Sequence, residues 1–231
     1  MIYLYWKGGR KMNRVKIKKE AREMIKGNLW NLLKPVLIIA LISGVISAIT
    51  GGSTTGINVD MSNETLSITE IQSNYGMVLF SLVVGLAMLP IEFGLLVYIV
   101  KFVRKEPYDL KILFTQFSKF WPIFALDFLV GLFSFLWSLL FIIPGIIAAI
   151  SYSMAMLIMV DGESDAMECI RRSKAMMKGY KWDYVIFQLS FILWHLLGIV
   201  TLGLGYIYVG PYMMVSEVLY YEELKKVNPV K

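Results

Sequence analysis

The chain has one cysteine, one histidine and long stretches with no lysine or arginine at all. With Cys169 alone, no intramolecular disulfide is possible and a zinc site built on cysteine ligands is excluded. His195 alone argues against any histidine-based metal or catalytic constellation. Charge is scarce too. Only 17% of the 231 residues are charged and 57% are hydrophobic, with a mean hydropathy of +0.63. A soluble domain needs a polar skin of roughly 25% charged residues, so a water-soluble globule is excluded. Apolar/polar alternation is absent as well. In hydrocarbon every backbone polar group must be satisfied internally, and without alternating strands this leaves helices rather than a closed barrel. No cleavable signal peptide is evident: the first strong apolar run begins near Leu32 and lacks an Ala-x-Ala-like site, so the first span is expected to remain as an anchor.

What is present is a partition. All 23 basic residues fall in four blocks: ten from Lys7 to Lys34, five from Lys101 to Lys119, five from Arg171 to Lys181 and three from Lys225 to Lys231. The intervening segments run to about 66, 51 and 43 residues, and a bilayer crossing needs about 20 apolar residues, so each is long enough for two crossings. Lys and Arg stay on the cytoplasmic side during insertion, so the partition predicts six spans with both termini cytoplasmic. The net charge of +6 then faces the anionic inner leaflet rather than nucleic acid.

The expected spans cover about 32–50, 76–100, 120–142, 145–160, 183–203 and 205–221. Residues 51–75 carry Asp60, Glu64 and Glu70, no basic residue and many Ser, Thr and Asn, and read as an external loop. Pro90 is expected to kink the second span. The 41 residues from Phe120 to Val160 are too long for one span and should break at Ile143-Pro144-Gly145. Gly203, Gly205 and Gly210-Pro211 make the last hairpin tight, and a re-entrant loop there is the competing topology. Small residues, Gly44, Ser47 and Ala48 in one span and Gly145, Ala148, Ala149 and Ser151 in another, are suited to close helix packing.

A basic amphipathic helix precedes each hairpin: residues 13–28 (Ile17, Ala21, Met24, Ile25 on one side), 107–119 (Leu110, Leu113, Phe114, Phe117), and 164–179, capped by Ser164 (Met167, Ile170, Met177). Trp30, Trp121 and Trp182 follow them at interfacial positions. Met24 to Trp30 and Met176 to Trp182 share the pattern Met-x-Lys-Gly-x-x-Trp, an internal repeat; independent origin from the positive-inside rule is the alternative. The fold class is therefore an all-α integral membrane protein of about six helices in three hairpins, one domain over 12–231. Lys7-Gly8-Gly9 before Met12 can be encoded by the purine run of a bacterial ribosome-binding site. Residues 1–11 are accordingly expected to be translated leader, with Met12 the native start.

Four ionisable residues fall inside expected spans: Glu92, Asp127, His195 and Glu217. A charge at mid-membrane costs roughly 2.5–3.5 kcal/mol on insertion scales, so each is a candidate intramembrane polar site. At 1.5 Å per residue Glu92 lies about 13 Å and Asp127 about 9 Å from the inner boundary. A cation or proton site facing the cytoplasm is one reading. Protonated or hydrogen-bonded structural acids is the other. The candidate lipid or partner surface comprises Lys18, Lys19, Arg22, Lys26, Arg171, Arg172, Lys174 and Lys178. Cys169 has no accompanying His or Asp pattern and reads as an apolar filler.

Four pieces, Ala21 to Trp30 (AREMIKGNLW), Ile143 to Tyr152 (IPGIIAAISY), Ser173 to Tyr180 (SKAMMKGY) and Gly210 to Tyr221 (GPYMMVSEVLYY), together resemble the uncharacterised bacterial multi-pass membrane family known as domain of unknown function 975. The resemblance runs over nearly all of the chain from residue 13. It implies a membrane protein with no established activity and supplies no catalytic residues. The functional expectation is a non-enzymatic interaction, assembly or regulatory component of the bacterial cytoplasmic membrane. Its partners would be anionic lipid headgroups, a membrane protein or a second copy, with no cofactor and no metal. A small transporter or permease subunit with a polar path through Glu92 and Asp127 is the alternative, and a membrane-embedded lipid enzyme ranks third. In a Cys169→Ser background, an impermeant maleimide applied to intact cells should label Ser62→Cys, and label Lys178→Cys only after permeabilisation. Labelling of both in intact cells would overturn the topology.

Overall fold

The computed structural model describes residues 12–50 and 75–229; the expected leader and all of the expected external loop except Tyr75 lie outside the described residues. Among the described residues the secondary structure is helical throughout: α1 (Arg14–Ile25), α2 (Leu29–Thr50), α3 (Tyr75–Arg104), α4 (Ile112–Thr115), α5 (Phe120–Leu140), α6 (Ile142–Tyr152), α7 (Ala155–Val160), α8 (Ala166–Met176), α9 (Lys181–Leu189), α10 (Ile192–Val200) and α11 (Tyr206–Val227). Five stretches are long and apolar enough to cross a membrane: Leu29–Ile49, Leu79–Arg104, Ile112–Leu140, Ile142–Val160 and Lys181–Val200.

The expected sixth span exists as α11 but is not among those five. The reason lies in its composition, which mixes tyrosines with Glu217, Glu222, Glu223, Lys225 and Lys226. Rather than an apolar outer surface, α11 turns Val209, Tyr212, Val215, Ser216, Val218, Tyr220 and Leu224 into the protein core. It runs antiparallel to α9 and α10, as ring pairs show: Tyr184–Tyr220 at 5.3 Å, Phe191–Tyr212 at 5.4 Å and Trp194–Tyr208 at 6.2 Å.

Three local features differ from expectation. The hairpin between α5 and α6 turns at Phe141, whose backbone is extended (φ −159°, ψ 147°), and Pro144 lies inside the first turn of α6. The first four N–H groups of a helix have no intrahelical acceptor, so a proline there costs no rung. Gly145 nonetheless matters, because a Cβ on it would lie 2.8 Å from Ser138 Cα across the hairpin. The cap of α8 is Asp165, whose Oδ1 accepts from the Met167 and Glu168 N–H groups at 2.9 and 3.4 Å; Ser164 makes no such bond. Residues 107–119 form only α4 and a 3-10 turn (Gln116–Lys119), with Leu113 buried and Phe114 and Phe117 exposed, so a continuous amphipathic helix is absent there.

The other two amphipathic helices are continuous, and their apolar faces pack on protein. Ile17, Ala21 and Ile25 of α1, spaced four apart, are buried, and α1 lies along α11. In α8 the buried residues are Ala166, Cys169, Ile170, Ser173 and Met176. Ser173 enters the break between α6 and α7, donating to the Ser151 carbonyl at 2.8 Å and accepting from the Met154 N–H at 3.2 Å. One hydroxyl thus satisfies two backbone groups that an interrupted helix would leave unpaired.

The Met-x-Lys-Gly-x-x-Trp repeat folds the same way twice. Gly27 has φ +86° between α1 and α2, and Gly179 has φ +87° between α8 and α9. Left-handed backbone favours glycine, which ends one helix and starts the next. Trp30 and Trp182 project outward from the two corners.

Buried residues concentrate near the charged ends of the helices, whereas Leu37 to Ile49, Leu79 to Leu86, Phe135 to Ile147 and Ile192 to Val200 hold many exposed apolar side chains. The charged ends share one pole of the molecule. Arg104 at the end of α3 meets Asp161 after α7 and Glu222 of α11, Asn228 donates to the carbonyls of Ala175 and Met176 at the end of α8, and Arg14 of α1 lies 3.6 Å from Asp183 of α9.

Gly94 marks the tightest helix approach to backbone, since a Cβ there would lie 2.6 Å from Leu113 Cα. Gly94→Ala should lower stability in detergent by about 1–3 kcal/mol, as overpacking does. Gly44→Ala, which meets nothing within 4 Å, should cause no loss. Thermal unfolding of the two variants side by side checks both.

Candidate functional site: the charged pole

The pole is organised by an ion network. Arg104 donates from Nε and Nη2 to Glu222 Oε1 at 2.8 and 2.6 Å and from Nη2 to Asp161 Oδ1 at 2.5 Å. Asp161 Oδ2 accepts from Tyr221 OH at 2.7 Å and Lys225 Nζ at 2.6 Å. Burial alone would raise the Asp161 carboxyl, but the hydrogen bonds from Lys225, Arg104 and Tyr221 outweigh it and hold the group below its ordinary 3.8. Sequence reasoning missed this cluster. The available signal was position: Arg104, Asp161 and Glu222 each stand at or just beyond the end of an apolar run.

Of the surface candidates on α1, two make contacts across to other helices, Lys18 half-buried and Arg22 exposed. Lys18 Nζ donates to Ser190 Oγ and sits 4.1 Å from the Phe191 ring centre; burial, then Arg22 and Arg14, lower its pKa. Arg22 Nε donates to Tyr212 OH at 3.2 Å, its guanidinium 5.4 Å from the rings of Trp194 and Tyr212. Arg14, Lys18 and Arg22 recur every four residues and so make one stripe against an aromatic wall. Lys19 pairs with Glu23 at 3.9 Å and is exposed, as is Lys26.

On α8 the arginines are also committed. Arg171 donates to both Glu168 carboxylate oxygens at 2.6 and 2.7 Å, and Arg172 reaches Glu168 at 2.7 Å and Glu163 at 3.1 Å. The Arg171 and Arg172 hydrogen bonds draw the Glu168 carboxyl down to about 2. Lys174 and Lys178 remain exposed. Beside them a groove of about 460 Å³ opens between α5, α6 and α8, walled by Phe133, Trp137 and Tyr152 and rimmed by Glu168, Arg171 and Lys174. Cys169 is fully buried, and burial followed by the charges of Glu163 and Asp165 pushes its thiol up to about 12, which suits packing and not nucleophilic attack.

The four intramembrane candidates fall in three places. Glu92 and Asp127 are exposed on α3 and α5 and close enough to feel each other's charge. Glu217 accepts from Tyr184 OH at 2.8 Å, and Tyr184 OH accepts from Gln188 at 2.7 Å, a polar cluster between α9 and α11. His195 Nδ1 lies 3.3 Å from Tyr206 OH at the opposite end of that hairpin. Among the described residues, no three of His, Cys, Asp and Glu converge as metal ligands would.

An all-helical chain with five helices of spanning length and apolarity, and with its charges gathered at one pole, has the build of a multi-pass membrane protein. Residues 12–151 and 139–228 match the family described as "Protein of unknown function (DUF975)", and the chain belongs to that family. Each matched stretch contains one copy of the glycine–tryptophan corner. No match was found among curated proteins or among solved structures.

Because the folded Asp161 pKa is depressed, its stabilising contribution is complete above about pH 4 and is lost as pH falls from 3.8 through the lower folded value. Asp161→Asn should cost on the order of 1–3 kcal/mol at pH 7, the scale of hydrogen bonds to a charged group. It should also flatten the decline in stability below pH 4. Unfolding midpoints in detergent from pH 3 to pH 7 test both parts.

Proposed function

We propose that the protein is a six-pass component of the bacterial cytoplasmic membrane with both termini inside. Its role is interaction, assembly or regulation rather than catalysis, and its charged pole meets the inner leaflet and a membrane partner. The observation that carries this reading is the position of Trp30, Trp121 and Trp182, which are 64%, 74% and 77% exposed and stand beside the basic blocks at the first, third and fifth passes. Indole rings favour the headgroup level, so three outward tryptophans beside basic blocks support a membrane–water boundary there. The antiparallel return of α11 supports an even number of passes, and its burial among other helices explains why its own surface need not be apolar.

Surface lysines near an anionic leaflet contribute about 1 kcal/mol each. Replacing Lys19, Lys26 and Lys178 together by Gln should therefore reduce several-fold the enrichment of phosphatidylglycerol over phosphatidylcholine around protein extracted from mixed vesicles into nanodiscs. Unchanged enrichment would sink the reading. The proximity of Glu92 and Asp127 keeps one second reading in view, a proton-linked transporter. That reading requires Glu92→Gln or Asp127→Asn to abolish a substrate-dependent flux at normal expression.

A further inference from the structure

Charges at the groove beside α8 are unevenly committed. Asp165 caps the Met167 and Glu168 N–H groups through Oδ1, and Glu168 is paired with Arg171 and Arg172. Lys174 makes no ion pair among the described residues. Nor does Lys181, half-buried at the first position of α9. They flank the Gly179 corner, whose left-handed turn brings the end of α8 beside the start of α9. Two lysines flanking one corner, neither paired with a carboxylate among the described residues, leave it short of an anion. Behind Lys174 the groove walls are Phe133, Trp137, Tyr152 and Ile170, apolar apart from a phenol, and Trp182 projects from the same corner.

We propose that this corner binds one anionic glycerophospholipid, its phosphate between Lys174 and Lys181 and the upper part of an acyl chain along Phe133 and Trp137. The inference rests on the reading of the charged pole as membrane-facing and names a discrete site within it. A volume of about 460 Å³ accommodates a headgroup and a short length of chain. Lysine suits phosphate as a compact point charge. The head is placed at Lys174 and Lys181, where a further positive charge is repelled, so the lipid is one whose head adds none.

The full chain in detergent, titrated with phosphatidylglycerol and with phosphatidylethanolamine of the same chains and followed by native mass spectrometry, tests this. One phosphatidylglycerol should be retained, with at least tenfold weaker retention of phosphatidylethanolamine. Lys174→Gln, at an exposed position, should weaken binding several-fold and the Lys174→Gln/Lys181→Gln pair tenfold or more. Lys174→Arg/Lys181→Arg should restore it, and Lys19→Gln/Lys26→Gln should leave it unchanged. Wild-type retention by Lys174→Gln, equal retention of the two lipids, or displacement of the lipid by millimolar inorganic phosphate would each overturn the site. Overall enrichment of anionic lipid can survive those outcomes. Unchanged enrichment on replacing Lys19, Lys26 and Lys178, with the single bound lipid retained, sinks the broader reading and leaves the site standing, so the two readings fail separately.

Discussion

The Arg104 guanidinium is the point at which three packed helices are held in register. It ends α3, and its donors reach Asp161 beyond α7 and Glu222 on α11, partners 57 and 118 residues away along the chain. Apolar helices in lipid gain little by exchanging a lipid neighbour for a leucine, so packing alone specifies their relative heights weakly. Directional, charge-assisted bonds at one end do specify them. With α3, α7 and α11 fixed at the pole, the Tyr221 and Lys225 bonds to Asp161 set the rotation of α11 as well, which turns Tyr212 and Tyr220 toward the aromatic faces of α9 and α10.

Two short amphipathic helices complete the arrangement, and both work by covering. Through Ile17, Ala21 and Ile25, α1 closes the core over α11, while the stripe of Arg14, Lys18 and Arg22 meets Asp183, Ser190 and Tyr212 on α9, the α9–α10 break and α11. In α8, Ser173 takes over the hydrogen bonds that the helix from Ile142 to Val160 loses at its break. A pass interrupted at Ser153 and Met154 is tolerable where protein supplies the missing partners, because irregular backbone at membrane depth needs protein or water beside it.

Much of this was legible in the residues. The partition of Lys and Arg, the apolar run lengths and the tryptophans located four of the five apolar stretches to within four residues at each end, while the third begins at Ile112 rather than 120. The Met-x-Lys-Gly-x-x-Trp repeat corresponds to two corners with nearly identical glycine torsions. What could not be read is which neighbour covers which face. A basic amphipathic helix looks the same in sequence whether its apolar side rests on lipid or on α11, and so the half-buried Lys18 reads as a surface residue and the Tyr212 partner of the exposed Arg22 goes unseen. The same limit applies to α11, whose tyrosines and Glu217 lower its hydropathy but are accommodated by Tyr184 and its neighbours. Pro144 was a misleading marker for another reason: a proline announces a helix boundary without saying on which side of it the turn lies.

The division of labour between the two basic residue types bears on function. Every described arginine is committed within the protein: Arg14 to Asp183, Arg22 to Tyr212, Arg104 to Asp161 and Glu222, and Arg171 and Arg172 to Glu168 and Glu163. The planar guanidinium, with five donors, suits such multi-point anchoring. Lys26, Lys174, Lys178 and Lys181, by contrast, make no ion pair among the described residues, and together they border the two glycine–tryptophan corners. Lysines without an ion pair among the described residues thus include those next to Trp30 and Trp182. A mobile point charge beside an interfacial indole is the pairing that a headgroup layer selects. Arginine thus builds the pole, and under the proposed function the unpaired lysines at the two corners, rather than Glu92, Asp127 and Glu217, carry the functional question.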